Sequence, residues 1–220
     1  MKFTKDEIRR AMLLYAVTDR AWLKEGETLA DAVRLALENG ATFLQLREKN
    51  LDLESFETLA AEMKALCGEY RVPFVVNDSV EIALLCDADG VHVGQSDIKG
   101  RDIRALIGPE KILGISAGTV EEAIAAEKAG ADYIGAGAVF HTGTKKNARS
   151  MTPERLREIV AAVSIPVVAI GGINEGNIGQ LHGSGVDGVA VVSAIFAADR
   201  PGEATARLLG PAKELAAAKG

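Results

Sequence analysis

Eight short runs of apolar residues recur along the chain, and most of them are separated by stretches with helical periodicity. The runs are rich in Val, Ile and Leu, and they are almost continuously apolar. Strands of this kind, alternating with helices, are typical of a parallel sheet that is buried on both faces. The runs occupy residues 13–17, 43–46, 74–76, 90–93, 111–116, 132–137, 166–170 and 187–192.

The intervening stretches 28–40, 51–70 and 119–130 repeat apolar residues near the 3.6-residue period of an α-helix. Thr119 and Glu122 stand three residues apart at the start of the third stretch. This spacing is that of a capping box, which predicts where that helix begins. The chain is therefore expected to alternate strand and helix along most of its length.

Small residues, mostly with a glycine, stand directly before the second, fourth, sixth and eighth runs. A glycine there can end the preceding helix in a left-handed conformation. Pro73 and Pro166 introduce the third and seventh runs instead, and proline disfavours helix in the residue before it. The four segments with small residues read "ENGATFL", "CDADGVHV", "KAGADYI" and "GSGVDGVAV".

This pattern has a period of two βα units and occurs four times, which suits a closed ring better than an open sheet with edges. We therefore predict a (β/α)8 TIM barrel that forms a single domain over residues 1–220. Residues 4–11 are expected to add a short helix. Residues 200–219 are expected to form a helix that closes the barrel, with contact to another subunit as the alternative. An open doubly wound sheet is the alternative, although no GxGxxG fingerprint follows the first run.

The composition restricts where such a protein works and what it binds. No apolar stretch approaches the roughly 18 residues that span a bilayer, and the N-terminus lacks the cleavage site of a secretory signal. Cys67 and Cys86 have no CxxC spacing, which indicates reduced thiols. A net charge of −6 argues against a general nucleic-acid surface. We expect a cytoplasmic protein with small-molecule partners and no membrane or nucleic acid; a homo-oligomer remains open.

Polar residues follow nearly every run, at the ends that face one shared mouth in a barrel. The segment "QLREK" places Gln45, Arg47 and Lys49 at odd spacing, so all three point the same way if the strand persists. The mouth is therefore expected to carry a binding site. Polar groups after the other runs are Thr18-Asp19-Arg20, Asn77-Asp78, "GQSD" ending at Asp97, Ser116, "FHTGTKK" (140–146), residues 171–174 and Val192-Ser193.

The last two strand ends predict a phosphate site. Gly171 and Gly172 form a doublet after the seventh run, and Ser193 opens a short segment after the eighth. Backbone N–H groups and a helix start converge on phosphate at this place in the barrel fold. Thr142 and Thr144, in the loop after the sixth run, are further possible donors.

Each of these residues has a plainer interpretation. Arg47 and Lys49 could form a solvated rim, Asp78 and Asp97 could cap helices, and the glycine doublet could be a tight turn. The three histidines lack metal-ligand spacing, and they are assigned structural or peripheral roles. These are His92, His141 and His182.

Seven motifs together resemble the thiamin phosphate synthase family, in order and at suitable spacing over residues 13–197. They are "QLREK", the "ND" after the third run, "GQSD", "GISA", "TGTKK", "AIGGIN" and "VVSAI". The resemblance implies a (β/α)8 barrel. It also implies a transferase that joins an aminopyrimidine-methyl diphosphate to a thiazole phosphate and releases diphosphate.

The resemblance also implies a role for each matching residue. Asp78 and Asp97 would bind Mg²⁺, a hard cation that takes carboxylate and phosphate oxygens. Arg47, Lys49, Ser116 and Lys145 would be catalytic. Asn147 stands where an acidic residue is expected, which leaves the closure of its loop in doubt. The implied substrate-binding set is Gln45, Leu46, Arg47, Glu48, Lys49, Asn77, Ser116, Thr142, Gly143, Thr144, Lys145, Gly172, Val192 and Ser193.

The implied chemistry is electrostatic. If the diphosphate is stabilised, the C–O bond can break before the neutral thiazole nitrogen attacks, so no Ser/His/Asp or Cys/His pairing is required, and none is evident in the sequence. Two rivals remain: a thiazole tautomerase of the same superfamily, and a non-catalytic barrel that binds thiamin phosphate. The intact set of Arg47, Lys49, Asp78 and Asp97 favours the synthase.

Overall fold

Eight parallel strands close into a barrel in which each strand pairs with its neighbours in chain order and β1 pairs with β8. The computed structural model describes residues 3–141 and 151–218. The closed ring confirms the predicted (β/α)8 fold and rules out the open sheet. The strands are β1 Leu14–Val17, β2 Phe43–Leu46, β3 Phe74–Asn77, β4 Gly90–Val93, β5 Ile112–Ala117, β6 Tyr133–Gly137, β7 Val167–Ile170 and β8 Gly188–Val191.

Helices cover the outside of this ring, and they follow every strand except β7. In the described stretch between β7 and β8, the chain forms only a 3₁₀ turn, Ile178–Leu181, in a segment rich in Gly and Asn, which are poor helix formers. A second 3₁₀ turn, Arg20–Trp22, follows β1. The helices are α1 Lys5–Ala11, α2 Leu29–Glu38, α3 Leu53–Tyr70, α4 Val80–Leu85, α5 Ile103–Ile107, α6 Val120–Lys128, α7 Pro153–Ala162, α8 Ser193–Phe196 and α9 Pro201–Ala217.

The two terminal helices lie where the sequence predicts them. Thr4 and Glu7 form a reciprocal capping box at the start of α1. Ile8 and Met12 then pack into the barrel interior together with Tyr15 and other inward-facing residues. Helix α9 contacts α2 as well as β1 and β8, so it covers the seam where the ring closes.

Three of the four expected glycine caps are present. Gly40, Gly130 and Gly183 directly follow the C-caps of α2, α6 and the 3₁₀ turn before β8, and they have φ values of 107°, 84° and 74°, in the left-handed region. Before β4, Asp87 adopts this conformation instead, with φ 49°. Aspartate tolerates the region better than most residues with a Cβ atom.

The capping box predicted for α6 is only half formed. The Thr119 side chain accepts a hydrogen bond from the Glu122 N–H, as expected. The Glu122 carboxylate, however, accepts from Gly118 N at 2.6 Å. The helix start therefore holds the loop after β5, at the mouth of the barrel.

A repeated hydrogen bond ties the strands together in pairs at the opposite, N-terminal rim. The residue just before each even-numbered strand has a side-chain oxygen that accepts a hydrogen bond. The donor is a backbone N–H near the start of the preceding, odd-numbered strand. The backbone N–H of the accepting residue in turn donates to the carbonyl oxygen of the donor residue, so that each pair of residues shares two hydrogen bonds. The accepting oxygens belong to Thr42, Asp89, Asp132 and Asp187, which bond Leu14, Phe74, Leu113 and Val167 at 2.8–2.9 Å.

Asp187→Ala is expected to lower the free energy of unfolding by about 2–3 kcal/mol, the scale for removing a buried charged acceptor. Its carboxylate is 4% exposed, accepts from Val167 N and pairs with Arg9 at 2.7 Å. Urea unfolding measures the change. Asp199→Ala is the control, because that carboxylate is 95% exposed and pairs only at the surface with Lys24. Equal losses in the two variants would contradict the role of the rim bond.

In the part of the chain that the structure describes, no helix combines the length and the apolar character needed to cross a bilayer.

Candidate active site

The carboxyl ends of the strands surround a cavity of about 830 Å³. Most of the predicted site residues that the structure describes line it. The Leu46 and Glu48 side chains do not line it. Asp97 does not line it either, but its carboxylate accepts a hydrogen bond from Gly94, which does. Thr142, Gly143, Thr144, Lys145 and Asn147 lie outside the described residues. The predicted residues that line the cavity are Gln45, Arg47, Lys49, Asn77, Asp78, Ser116, Gly172, Val192 and Ser193.

The "QLREK" segment turns at the end of β2, and its side chains alternate. Gln45 is buried in the barrel interior, whereas Leu46 is buried in the outer core beneath the helices. Regular strand ends at Leu46, yet Arg47 still lines the cavity because its backbone N–H donates to Thr18 Oγ1 at 3.0 Å. Its guanidinium lies 3.7 Å from the carboxylate of Asp19.

Glu48, the one acid in the segment, is directed away from the cavity. Its carboxylate lies 2.9 Å from Arg20 Nε, and its side chain is 5% exposed. Burial raises the pKa of this carboxyl group, and the Arg20 charge opposes the rise. The Glu48 side chain therefore ties the loop after β1 to the loop after β2 and does not line the cavity.

Asp78 and Asp97 are neighbours at the mouth. Asp78 has φ 62°, an uncommon conformation for a residue with a Cβ atom, and its N–H donates to His92 O at 2.8 Å. Asp97 Oδ2 accepts from Gly94 N at 2.9 Å. Partial burial raises the pKa of Asp78, and the negative charge of Asp97 raises it further, while Asn77 and Arg47 oppose the rise.

This acidic pair fits a Mg²⁺ ion. Two carboxylates held together carry excess negative charge, which a divalent cation relieves. Within residues 3–141 and 151–218, no group of three or more His, Cys, Asp or Glu side chains is placed to hold a metal. Two protein carboxylates with the remaining ligands from water and phosphate is the usual arrangement for Mg²⁺ at phosphate sites.

The glycine doublet after β7 forms the opposite wall. Gly171 and Gly172 have φ values of 104° and 68°. A Cβ atom on Gly172 would lie 2.4 Å from His141 O, so this position has no room for a side chain. Asn177 Nδ2 donates to Gly172 O at 2.9 Å and fixes the loop. Helix α8 begins beside it at Ser193.

Sequence analysis missed His92 as a site residue. Its ring lines the cavity, and its Nε2 lies 2.9 Å from Ser116 Oγ, so it is not peripheral. The expectation from the sequence concerned a Ser/His/Asp or Cys/His pairing for nucleophilic catalysis, and the contact between Ser116 and His92 does not by itself test it. The sequence does contain a signal for His92, because successive side chains in a strand point to opposite faces. In "GVHV", Val91 and Val93 face the outer core, so His92 lies on the inner face of the barrel.

The fold and the cavity define a class: a (β/α)8 barrel whose mouth combines an acidic pair, cations and a glycine loop. The pattern of the family described as thiamine monophosphate synthase matches residues 14–195. The chain belongs to this family.

Known relatives agree with this assignment. The thiamine-phosphate synthase of Clostridium botulinum (strain Eklund 17B / Type B) is 48% identical over 195 residues, covering 89% of this chain and 91% of the relative. That of Ruminiclostridium cellulolyticum is 51% identical over 83% of this chain and 87% of the relative. The solved thiamine phosphate pyrophosphorylase from Pyrococcus furiosus superposes with a TM-score of 0.86 at 42% identity, over 94% of this chain and 98% of that one.

Proposed function

We propose that this chain is a transferase of thiamin biosynthesis. It joins an aminopyrimidine-methyl diphosphate to a thiazole phosphate and releases diphosphate. One observation carries the proposal: Asp78, Arg47 and the glycine loop all border one cavity, and the Asp97 carboxylate is a neighbour of Asp78. An isomerase acting on a thiazole phosphate alone has no use for the acidic pair and the cations around it.

The charges around the cavity suit a diphosphate leaving group. Such a group carries about three negative charges near neutrality. When bound between Asp78 and Asp97, Mg²⁺ would neutralise phosphate oxygens and supply the largest positive charge in the site. Arg47 and Lys49 add positive charge from the next loop, and Lys145 would complete the set.

The side chains act by binding and orientation. Arg47 is held by Thr18 and Asp19, so its guanidinium is already in place before the leaving group acquires charge. Gly172 and Ser193 would hold the thiazole phosphate on the opposite wall, with the ring nitrogen directed at the pyrimidine-methyl carbon. That nitrogen is neutral, so the attack needs no base.

The direct test is diphosphate release from the two substrates, with Mg²⁺ and with a chelator. Release that needs both substrates and the metal supports the proposal. Conversion of the thiazole substrate alone would identify a tautomerase. Binding of thiamin phosphate without release would identify a carrier. Cytoplasmic localisation, a single domain over residues 1–220 and possible homo-oligomers remain predictions.

Gly172→Ala is expected to raise KM for the thiazole phosphate about 30-fold, because the added methyl group displaces the loop from the phosphate. Steady-state kinetics at saturating pyrimidine diphosphate measure this. Gly183→Ala is the matched control: Gly183 has φ 74° but nothing within 4 Å of a new Cβ atom. The control has backbone strain without a clash. Similar KM values in both variants would exclude the glycine loop from phosphate binding.

A further inference from the structure

A chain of hydrogen bonds crosses the barrel interior and ends at Ser116. Gln45 Nε2 donates to the Tyr15 hydroxyl, which lies 2.8 Å from the Tyr133 hydroxyl. The Tyr133 hydroxyl lies 3.0 Å from His92 Nδ1, and His92 Nε2 lies 2.9 Å from Ser116 Oγ. The chain begins and ends at residues assigned to substrate binding. The three side chains between them have no assigned role.

Two glycines in the strands make room for the contact between Tyr133 and His92. A Cβ atom on Gly114 would lie 2.2 Å from Tyr133 Cζ and 2.5 Å from His92 Nδ1. A Cβ atom on Gly135 would lie 3.1 Å from His92 Cε1. Glycine weakens a strand interior, and it marks places where other groups approach the backbone closely. Two neighbouring strands thus carry glycine where the Tyr133–His92 contact needs space.

Both tyrosines keep their protons. Burial raises the pKa of Tyr15 and of Tyr133, and both rings lie fully inside the barrel. Each hydroxyl therefore has one proton to donate and can accept at its oxygen.

The amide of Gln45 sets the direction of the whole chain. Because Tyr15 accepts from Gln45, its proton goes to Tyr133, the other hydrogen-bond partner of its hydroxyl in the described residues. The Tyr133 proton then goes to His92 Nδ1. His92 consequently carries its proton on Nε2 and donates it to Ser116 Oγ.

We propose that Tyr15, Tyr133 and His92 are positioning residues that hold Ser116 as a hydrogen-bond donor to the diphosphate. The proposal rests on the proposed function of this site. Because a lone pair of Ser116 Oγ accepts from His92, the serine proton remains for the cavity. His92 cannot remove that proton, so the Ser116–His92 pair is not a nucleophile with its base. The chain also links Gln45 to Ser116, two residues of the implied substrate-binding set.

The tautomer of His92 tests the direction of the chain in the free protein. The sequence has three histidines, so ¹⁵N-histidine spectra are simple, and His92→Gln identifies the signals of His92. At neutral pH, the proton is expected on Nε2. Tyr133→Phe should abolish this preference, and Tyr70→Phe, which removes a hydroxyl bonded to Glu38 on the surface, should not change it. A proton on Nδ1, or on both nitrogens, would overturn the proposal.

A double-mutant comparison tests the effect on Ser116. Tyr133→Phe is expected to lower kcat for diphosphate release about tenfold, with KM for both substrates nearly unchanged. In the Ser116→Ala background, the same change should have no further effect. A tenfold loss in both backgrounds would show that Tyr133 does not act through Ser116.

Further measurements separate a failure of the proposal from a failure of folding and from a failure of the proposed function. Thermal unfolding establishes that each variant is folded. If Tyr133→Phe does not fold, Tyr15→Phe should weaken the same tautomer preference by disconnecting Gln45, and an unchanged tautomer would contradict the proposal. If the wild-type protein releases no diphosphate, the proposed function fails, while the His92 tautomer still decides the direction of the chain.

Discussion

Asp78→Asn is expected to lower kcat for diphosphate release by about 10²–10³, because it removes one of the two carboxylates that would hold Mg²⁺ beside the leaving group. Asparagine adopts the left-handed conformation of Asp78 about as readily as aspartate, so the backbone is unaffected. Raising the Mg²⁺ concentration should recover part of the activity. Initial rates measured over a series of Mg²⁺ concentrations provide the result.

Asp87→Asn is the matched control, because Asp87 is also an aspartate in the left-handed conformation, with φ 49°. Its carboxylate lies before β4 and pairs with Lys111. It should retain normal kinetics. An Asp78→Asn enzyme with normal activity and normal Mg²⁺ dependence would remove Asp78 from the metal site.

Asp78→Asn should increase the stability of the metal-free protein, although it lowers kcat. The pKa of Asp78 is higher in the fold than in the unfolded chain. The folded protein thus binds more protons between the two pKa values, and its stability falls as pH rises through that window. Asp78→Asn removes this penalty. Its melting temperature without metal should be slightly higher than that of the wild type at neutral pH, and Mg²⁺ should raise it less.

Arg47→Gln is expected to lower kcat by about 10²–10³, because it removes a fixed cation from the developing charge of diphosphate. The Arg47 side chain is 16% exposed and lies near Asp19, so the variant loses a cation that is held in one position. Arg47→Lys should restore only part of the rate, since lysine cannot reproduce the planar geometry of a guanidinium. Single-turnover measurements isolate the bond-breaking step from product release.

Arg34→Gln provides the control for charge alone. Arg34 pairs with Glu69 between two surface helices, and its side chain is 44% exposed. The net charge changes equally in both variants, so a general electrostatic effect would appear in each. Comparable losses in Arg34→Gln and Arg47→Gln would contradict a local role for Arg47.

The barrel could be predicted from the sequence because its signals are local. Each strand is a short apolar run, and each run matches an observed strand to within one residue at either end. The mouth follows from the fold, since parallel strands in a barrel place all their carboxyl ends together. Asp78 and Asp97 could therefore be placed at the same mouth, and the resemblance to thiamin phosphate synthase paired them as metal ligands.

Pairings between distant loops could not be predicted in the same way. Glu48 belongs to a motif that suggests a substrate contact, and only the structure shows that its carboxylate meets Arg20. His92 has no useful spacing to any other histidine, and its partners come from β5 and β6. Such contacts depend on register and side-chain direction across the barrel, which periodicity does not specify.

The account has one central claim: fixed charges at the mouth stabilise departing diphosphate so well that cleavage needs no proton transfer. Single-turnover C–O cleavage in H₂O and in D₂O, at saturating Mg²⁺, tests this claim most directly. The account predicts that the ratio of the rate in H₂O to the rate in D₂O is near 1, because no proton is transferred when the C–O bond breaks. A ratio of about 2 or more would contradict it and would require a group in the site that transfers a proton to the leaving oxygen.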